Sequence, residues 1–490
     1  MDVKINKYLL ILLFCFMLSL IFYFYMPVAP DATYQWTMLV LSLIGTFTYF
    51  LNRKVEFGSI YWLSLVPFFI LGYLIVFYQM IVLDLAGFTV PTMFYEYIWA
   101  NETVLNRSIG LATLGLLAFY LGEVYSRDKS PYKRAWNKNS KIETKSIAFL
   151  IILAYIFYIL FLIASGSYIY GVYSSEDGLS SANYFYKAFE IALSAAIIVK
   201  LSFITSCEKQ KLSFRKYLSF FGVPLLALVV WNILFSLFVG DRAPVMFFSV
   251  LTFGLYFIRW KRLNFILLCM SIFLASILFS FVGELRQVGE RSNVDFSERI
   301  TNITNYSEGK TSKKFDELVP GDATIEMALS VNTLNHALLN VPDKYDYRYG
   351  LFQLQYIYAS IPGLSGVISE ILYGSDTKFY SSSKFITYFI QGDQPTFGNG
   401  TSILADFYLD FGVIGIVIGL YLFGYFVGKN EYKLFSSYQQ VTFSWVVILI
   451  FFSKALYLSR SSILFELSLI VFIYLLIKIN KFIVSSLKKT

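Results

Sequence analysis

Long apolar runs broken by short polar stretches recur along the whole chain. A helix that crosses a bilayer needs roughly 20 consecutive apolar residues. Runs approaching that length lie at 8–28, 34–51, 58–83, 108–125, 146–165, 184–203, 218–239, 244–258, 263–283, 402–427, 437–456 and 461–478. In hydrocarbon every backbone N–H and C=O must be paired internally, so such runs predict helices rather than open strands. The pattern predicts an all-α polytopic membrane protein with about twelve transmembrane helices. The run at 244–258 is short and needs Pro244 and its neighbours to reach across. The first run lacks a small-residue cleavage site and is followed at once by another, so it is expected to stay as a span.

The polar stretches between runs alternate in charge. Lys4 and Lys7 precede the first run. Arg53 and Lys54, then Arg127 to Lys145, then Lys209 to Lys216, then Arg259 to Arg262, then Lys429 and Lys433, and finally Lys478 to Lys489 mark every second stretch. The intervening loops are poor in cations. Lysine and arginine concentrate in cytoplasmic loops, so both termini are expected in the cytoplasm. The exception to short loops is 284–401, a large extracytoplasmic segment between the ninth and tenth runs. Loops of that length are uncommon unless functional. The chain thus divides into 1–283 with nine spans, 284–401 outside the membrane with short helices, and 402–490 with three spans and a cytoplasmic C-terminus. Within the outer segment, Asp322 to Asn340 reads as a helix with Asp322 as N-cap and a stripe of Met327, Val331, Leu334 and Leu338. The apolar stretch Leu351 to Leu372 is interrupted by Pro362 and Gly363, which fits a re-entrant or interfacial segment.

Composition agrees with the pattern. The chain has 490 residues, 57% hydrophobic and 15% charged, with mean hydropathy +0.61. A soluble domain carries about 25% charged residues. The net charge of +8 is an orientation signal, which excludes the nucleic-acid reading. Cys15, Cys207 and Cys269 make neither a disulfide framework nor a zinc site. No internal repeat of the kind common in transporters is visible.

The informative cations stand on the wrong side. Arg242 sits in a loop of a few residues between two apolar runs. Arg286 and Arg291 leave the ninth run. Lys454 lies inside the eleventh, Arg460 just before the twelfth, and Glu466 inside it. Each has a plain reading. An arginine at a helix end snorkels, Lys187 and Glu190 form a local pair one turn apart, and Lys454 and Glu466 neutralise each other. Convergence favours function: Arg242, Arg286, Arg291 and Arg460 all fall near one side of the membrane. Guanidinium forks bind anionic oxygens in pairs, and a lipid-borne diphosphate at headgroup level is their natural ligand. His336, the sole histidine, lies beside Asn332, Thr333 and Asn335 in the outer segment. Its unperturbed pKa suits a general base near neutrality. No DxD stands in the outer segment, so no metal ligands and no cofactor are expected.

Several stretches resemble Wzy-type oligosaccharide repeat-unit (O-antigen or capsule) polymerases. These are Gly240-Asp241-Arg242 at a span entrance, the late outer segment, Tyr349-Gly350 with Ile361-Pro362 downstream, and residues 400–415, GTSILADFYLDFGVIG. The last is similar to the family's acidic-x-Tyr-x-x-Phe-Gly-x-x-Gly pattern, with Asp406 where glutamate is more usual. The resemblance implies glycosyl transfer from a glycan on undecaprenyl diphosphate to a lipid-linked repeat unit at the outer face of the bacterial cytoplasmic membrane. That reaction gives roles to residues already singled out by placement: Arg242, Arg286, Arg291, Arg460 and Lys454 as expected diphosphate or substrate ligands, and His336 as base with Glu290 or Glu326 as substitutes. Membrane lipids, a chain-length regulator and a flippase are the implied partners.

Three rival readings share some of these features. A flippase or transporter of the same lipid-linked oligosaccharide explains the spans but has no use for 284–401. An O-antigen ligase uses the same arginine and histidine logic. A transferase with a monosaccharide phospholipid donor commonly carries an acidic site in the first outer loop, and here that loop holds only Asp31.

Overall fold

The computed structural model describes residues 7–57, 62–88, 98–99, 101–127, 147–165, 179–207, 212–239, 241–261, 266–267, 270, 322–361, 363–374, 376–435 and 441–487. Its helices are α1 (Lys7–Phe24), α2 (Ala32–Phe57), α3 (Leu65–Leu85), α4 (Val104–Ser126), α5 (Ala148–Ala164), α6 (Leu179–Cys207), α7 (Phe214–Phe221), α8 (Val223–Val239) and α9 (Arg242–Arg259). Then come α10 (Asp322–Ala328), α11 (Val331–Asn340), α12 (Leu351–Tyr358), α13 (Leu364–Tyr373), α14 (Ser382–Gln391), α15 (Ile403–Asn430), α16 (Phe443–Lys454) and α17 (Leu467–Leu487). No strand occurs among the described residues.

Each apolar run coincides with a helix, apart from 263–283, which lies almost wholly outside the described residues. Among the described residues, seven helices are long and apolar enough to cross a membrane, or eight if α7 and α8 form one span bent by 100°. Fewer helices qualify than the apolar runs suggest, for local reasons. Gln35, the threonines and the terminal charges dilute α2, whereas α5 and α16 are short, at 17 and 12 residues. The bend between α7 and α8 falls at Gly222, whose φ of 76° suits glycine.

α4 is the central post, buried along nearly its whole length. It lies against α15 with backbones almost touching. A methyl group on Gly424 or Gly428 would meet the carbonyl of Phe119 or Glu123. Gly424 and Gly428 are four apart, the small-xxx-small spacing that lets membrane helices approach closely. Polar atoms inside the bundle are spent on neighbours. Asn106 donates to the carbonyls of Pro27 and Ala29 at 2.9 and 2.8 Å and accepts from Gln35 at 3.1 Å. Tyr73 donates to the Ala112 carbonyl at 2.8 Å, and Tyr120 pairs with Thr46 at 2.8 Å. Part of the chain's wealth of tyrosine thus bridges helices where an unpaired hydroxyl would be costly.

At the end assigned to the cytoplasm by charge pattern, Arg53 bonds Glu431 at 2.8 Å and Glu123 at 3.4 Å, and Arg127 pairs with Glu123 and Glu56. These cations, which served as orientation markers, are also buried ties between α2, α4 and the turn after α15.

The predicted helix 322–340 is two helices. At Leu329 and Ser330 the bonding tightens to three-residue steps, with Ser330 N donating to Met327 at 3.2 Å and Thr333 N to Ser330 at 3.2 Å. Met327, Val331, Leu334 and Leu338 are all buried, as their spacing predicts. Asn332, Thr333 and Asn335 are buried too, because α11 is packed on more than one side. Thr333 bonds Ser402 at 2.8 Å, and Asn335 donates to the Ile98 carbonyl at 2.8 Å.

Candidate functional site

Two arginines from distant parts of the chain meet at one carboxylate. Arg242 is the first residue of α9. Asp241 caps that helix by accepting from Ala243 N at 3.2 Å. Pro244, in the first turn, has no N–H to leave unpaired. Arg460 ends a short 3-10 turn (Leu458–Arg460) between α16 and α17. Glu326 rides on α10, which is anchored by buried Met327 and Ala328 and by Thr324, whose hydroxyl donates to Gln79 of α3 at 2.8 Å. Arg242 Nη1 lies 3.0 Å from Glu326 Oε2, and Arg460 Nη1 lies 3.7 Å from Glu326 Oε1. The side chains are 21%, 39% and 55% exposed for Arg242, Arg460 and Glu326. The carboxylate therefore opens to solvent while its two oxygens are each held by a different guanidinium. A phosphate group presents the same paired oxygens.

Tyr457, one turn before Arg460, feels the charges of Arg460, Arg242, Glu326 and Asp241. Burial pushes its phenol up, and the arginines partly oppose that shift. It therefore stays a neutral hydrogen-bonding group at ordinary pH. Tyr457 escaped notice in the sequence because one tyrosine among 38 carries no signal.

The other candidates are placed differently. Arg286, Arg291 and Glu290 lie outside the described residues. His336 sits half-buried on α11, and its backbone carbonyl accepts from Asn340 at 2.8 Å. Lys454 is held by Glu466 at 2.8 Å and Glu190 at 3.6 Å, and Glu190 also accepts from Lys187 at 2.7 Å. Its ammonium stands 4.9 Å from the centre of the Phe247 ring on α9. The two pairs foreseen separately are thus one chain of alternating charge joining α6, α16 and the start of the last span. Among the described residues, no group of three or more His, Cys, Asp or Glu is placed to hold a metal ion.

Residues 406–415 tie the chain between 338 and 353 to the helix bundle. α15 breaks at Phe411 and Gly412, with Gly412 at φ 62°, ψ −146°. The break frees the carbonyls of Leu409 and Asp410, which accept from Arg348 N and Tyr349 N, both at 2.9 Å. The Asp410 carboxylate accepts from the first N–H groups of α12, Phe352 at 3.3 Å and Gln353 at 3.1 Å. It caps that helix from another part of the chain. Asp406 accepts from the Gln353 amide at 2.5 Å. Tyr408 donates to the Val341 carbonyl at 3.1 Å and accepts from Arg107 at 2.9 Å, and Arg107 also reaches the Leu338 carbonyl near the end of α11 at 3.3 Å. Asp406 and Asp410 are both buried, the first bonded to a side-chain amide and the second to backbone. Arg348 stacks on Phe379, 4.4 Å from the ring centre. Arg107 and Arg348 stand on the side where the orientation rule expects few cations, a signal present in the sequence but not followed.

These features define a polytopic α-helical membrane protein with a partly open cationic cluster at one end of its bundle. Residues 8–489, nearly the whole chain, match the family model described as O-antigen polysaccharide polymerase Wzy, and the chain belongs to that family. No curated protein and no solved structure matches it. Membership makes it an integral membrane protein and a glycosyltransferase-type polymerase acting on lipid-linked oligosaccharide repeat units.

Proposed function

We propose that the chain extends glycans carried on undecaprenyl diphosphate at the outer face of the bacterial cytoplasmic membrane. The growing glycan is the donor and a single lipid-linked repeat unit the acceptor. The acceptor hydroxyl attacks the anomeric carbon, the bond from that carbon to the diphosphate oxygen breaks, and the hydroxyl proton passes to a base. Undecaprenyl diphosphate leaves with the bonding pair. The observation that carries this reading is the convergence of Arg242 and Arg460 on one half-exposed carboxylate. Glu326 stands where the oxygens of an anion would meet both guanidiniums. An incoming diphosphate takes over the two guanidiniums, which then meet the negative charge that grows on the leaving group. Glu326, once displaced, lies beside the reacting atoms as a proton acceptor, with His336 and Glu290 as the other candidate bases. Arg286 and Arg291 are proposed as further diphosphate ligands. Lys454 acts by holding the base of α9 and the turn before α17 in register, beneath the arginine pair.

The test is a deletion strain analysed by gel for surface glycan and complemented with wild type, Arg242→Ala, Arg460→Ala or His336→Ala. The expected result is glycan halted at one repeat unit in the deletion and in both arginine variants. Loss of all surface glycan, with repeats trapped on the cytoplasmic side, makes the chain a flippase instead. Full-length polymer left on its lipid makes it a ligase.

A further inference from the structure

α12 and α13 are amphipathic in the inverted sense. Their polar groups turn toward the protein: Gln353 to Asp406 at 2.5 Å, the Tyr356 hydroxyl to Ser382 at 3.1 Å, and the Tyr358 hydroxyl to Ser369 of α13 at 3.5 Å. Their large aliphatic side chains turn outward. Leu354, Ile357, Ile361, Val367, Ile371 and Leu372 are between 47% and 76% exposed. Residues 351–373 contain one charged residue, Glu370, itself exposed. A water-facing helix pair distributes its side chains the other way. A contiguous exposed apolar patch on a protein marks an interaction surface.

Continuity with the spans says what covers the patch. Gly350, at the head of α12, packs on the Phe411 ring. Phe411 opens an exposed stripe on α15 that continues through Ile414, Ile418 and Leu422 at helical spacing, the face of a membrane span turned to lipid. On the other side of α12, Tyr356 meets Phe465 edge-on with ring centres 6.4 Å apart, and Phe465 is itself exposed at the start of the last span. The patch therefore lies between the lipid-facing surfaces of two spans and prolongs both. α12 and α13 have eight and ten residues. At 1.5 Å per residue they are about 12 and 15 Å long, well short of the ~30 Å hydrocarbon core. They are too short to cross and are shaped to lie in one leaflet.

We infer that the α12–α13 hairpin is seated in the outer leaflet of the membrane, its aliphatic face against acyl chains and Glu370 at headgroup level. The hairpin is tied to α15 through Asp406 and Asp410 and to the segment after Arg460 through Phe465. It thereby fixes the height of the outer segment and holds the arginine pair near the depth where a lipid-borne diphosphate lies. This rests on the membrane orientation proposed above and not on the role of the arginines.

The test uses the full chain in phospholipid vesicles, with an environment-sensitive fluorophore on cysteines introduced as Ile357→Cys, Val367→Cys, Ile371→Cys or, as the water-facing control on α14, Lys384→Cys. The parent chain supplies the background from its native cysteines. Only variants that restore polymer in cells are reconstituted, and three hairpin positions guard against the loss of any one. The expected result is quenching by acyl-chain spin-labelled lipid several-fold stronger at the hairpin positions than at Lys384→Cys, with iodide quenching strong only at the control. Iodide quenching at the hairpin overturns the inference. So does quenching by neither agent, which means that protein covers the patch. Either failure leaves the polymerase reading untouched, because that reading stands or falls on surface glycan in the arginine variants.

Discussion

At the scale of single residues, Arg242 differs from an ordinary helix-end cation in what it faces. A snorkelling arginine ends in water or headgroups, but this one ends on a carboxylate shared with a second arginine. On the proposed role, replacing it with alanine removes one preorganised donor to the leaving group, and losing such a donor costs roughly 100- to 1000-fold in rate. Polymer formation by membranes supplied with lipid-linked repeat units should fall by that order. Arg242→Lys keeps the charge but loses the planar fork, so it should shorten the polymer as well; full-length glycan from the lysine variant rules out a forked clamp. Glu326→Gln separates placeholder from base. As a placeholder alone, Glu326 competes with substrate, so the glutamine variant should saturate at lower donor concentration with its maximal rate retained. As a base, the same variant should lose maximal rate. Measuring both parameters with one purified donor decides between the two roles.

At the scale of elements, the helices were readable because an apolar run of membrane length has few alternatives to helix, although seven or eight of the described helices, and not twelve, are long and apolar enough to span. The finer joints were not. α15 reads in sequence as one uninterrupted helix, since Asp406-Phe407-Tyr408-Leu409-Asp410-Phe411 offers no breaker before Gly412. The break exists because chain far away in sequence takes its carbonyls: Arg348 and Tyr349 accept the role that the next turn of helix normally has. No local pattern announces a partner some sixty residues upstream. The resemblance singled out residues 400–415, and in the fold Asp406 and Asp410 are buried and take hydrogen bonds from Gln353 and Phe352, contacts that no local pattern announces. Gly412→Ala places a side chain at φ 62°, ψ −146° and against the Tyr347 hydroxyl and ring. Strain of this kind costs about 1–3 kcal/mol. The variant should lower the unfolding temperature in detergent and expose residues 341–353 to protease. Gly398→Ala, with nothing within 4 Å of the added methyl, should do neither.

At the scale of the whole molecule, two sets of paired charges among the described residues differ in exposure. Arg53, Glu123, Arg127 and Glu431 close on one another at one end, with side chains between 1% and 5% exposed. Arg242, Glu326 and Arg460 form an open set elsewhere, 21% to 55% exposed. Lys454 lies between these extremes at 18%, held by glutamates that are 10% and 7% exposed. Burial decides what each group can be for. Removing one partner from a buried ion pair leaves an uncompensated charge and costs roughly 3–5 kcal/mol, whereas an exposed pair contributes about 0–1 kcal/mol. Arg53→Met should therefore unfold the protein at markedly lower temperature, and Arg242→Ala should leave its melting almost unchanged while stopping polymer growth. Lys454→Met should resemble Arg53→Met, because it strands Glu466 and leaves Glu190 with Lys187 alone. The variant that also carries Glu190→Gln and Glu466→Gln removes the stranded charges and should recover both melting temperature and polymer length. Recovery of melting without polymer would instead make Lys454 a substrate ligand, as its position in the sequence first suggested. Thermal unfolding and glycan gels on the same variants thus separate the charges that hold the helices together from those left free to meet a phosphate.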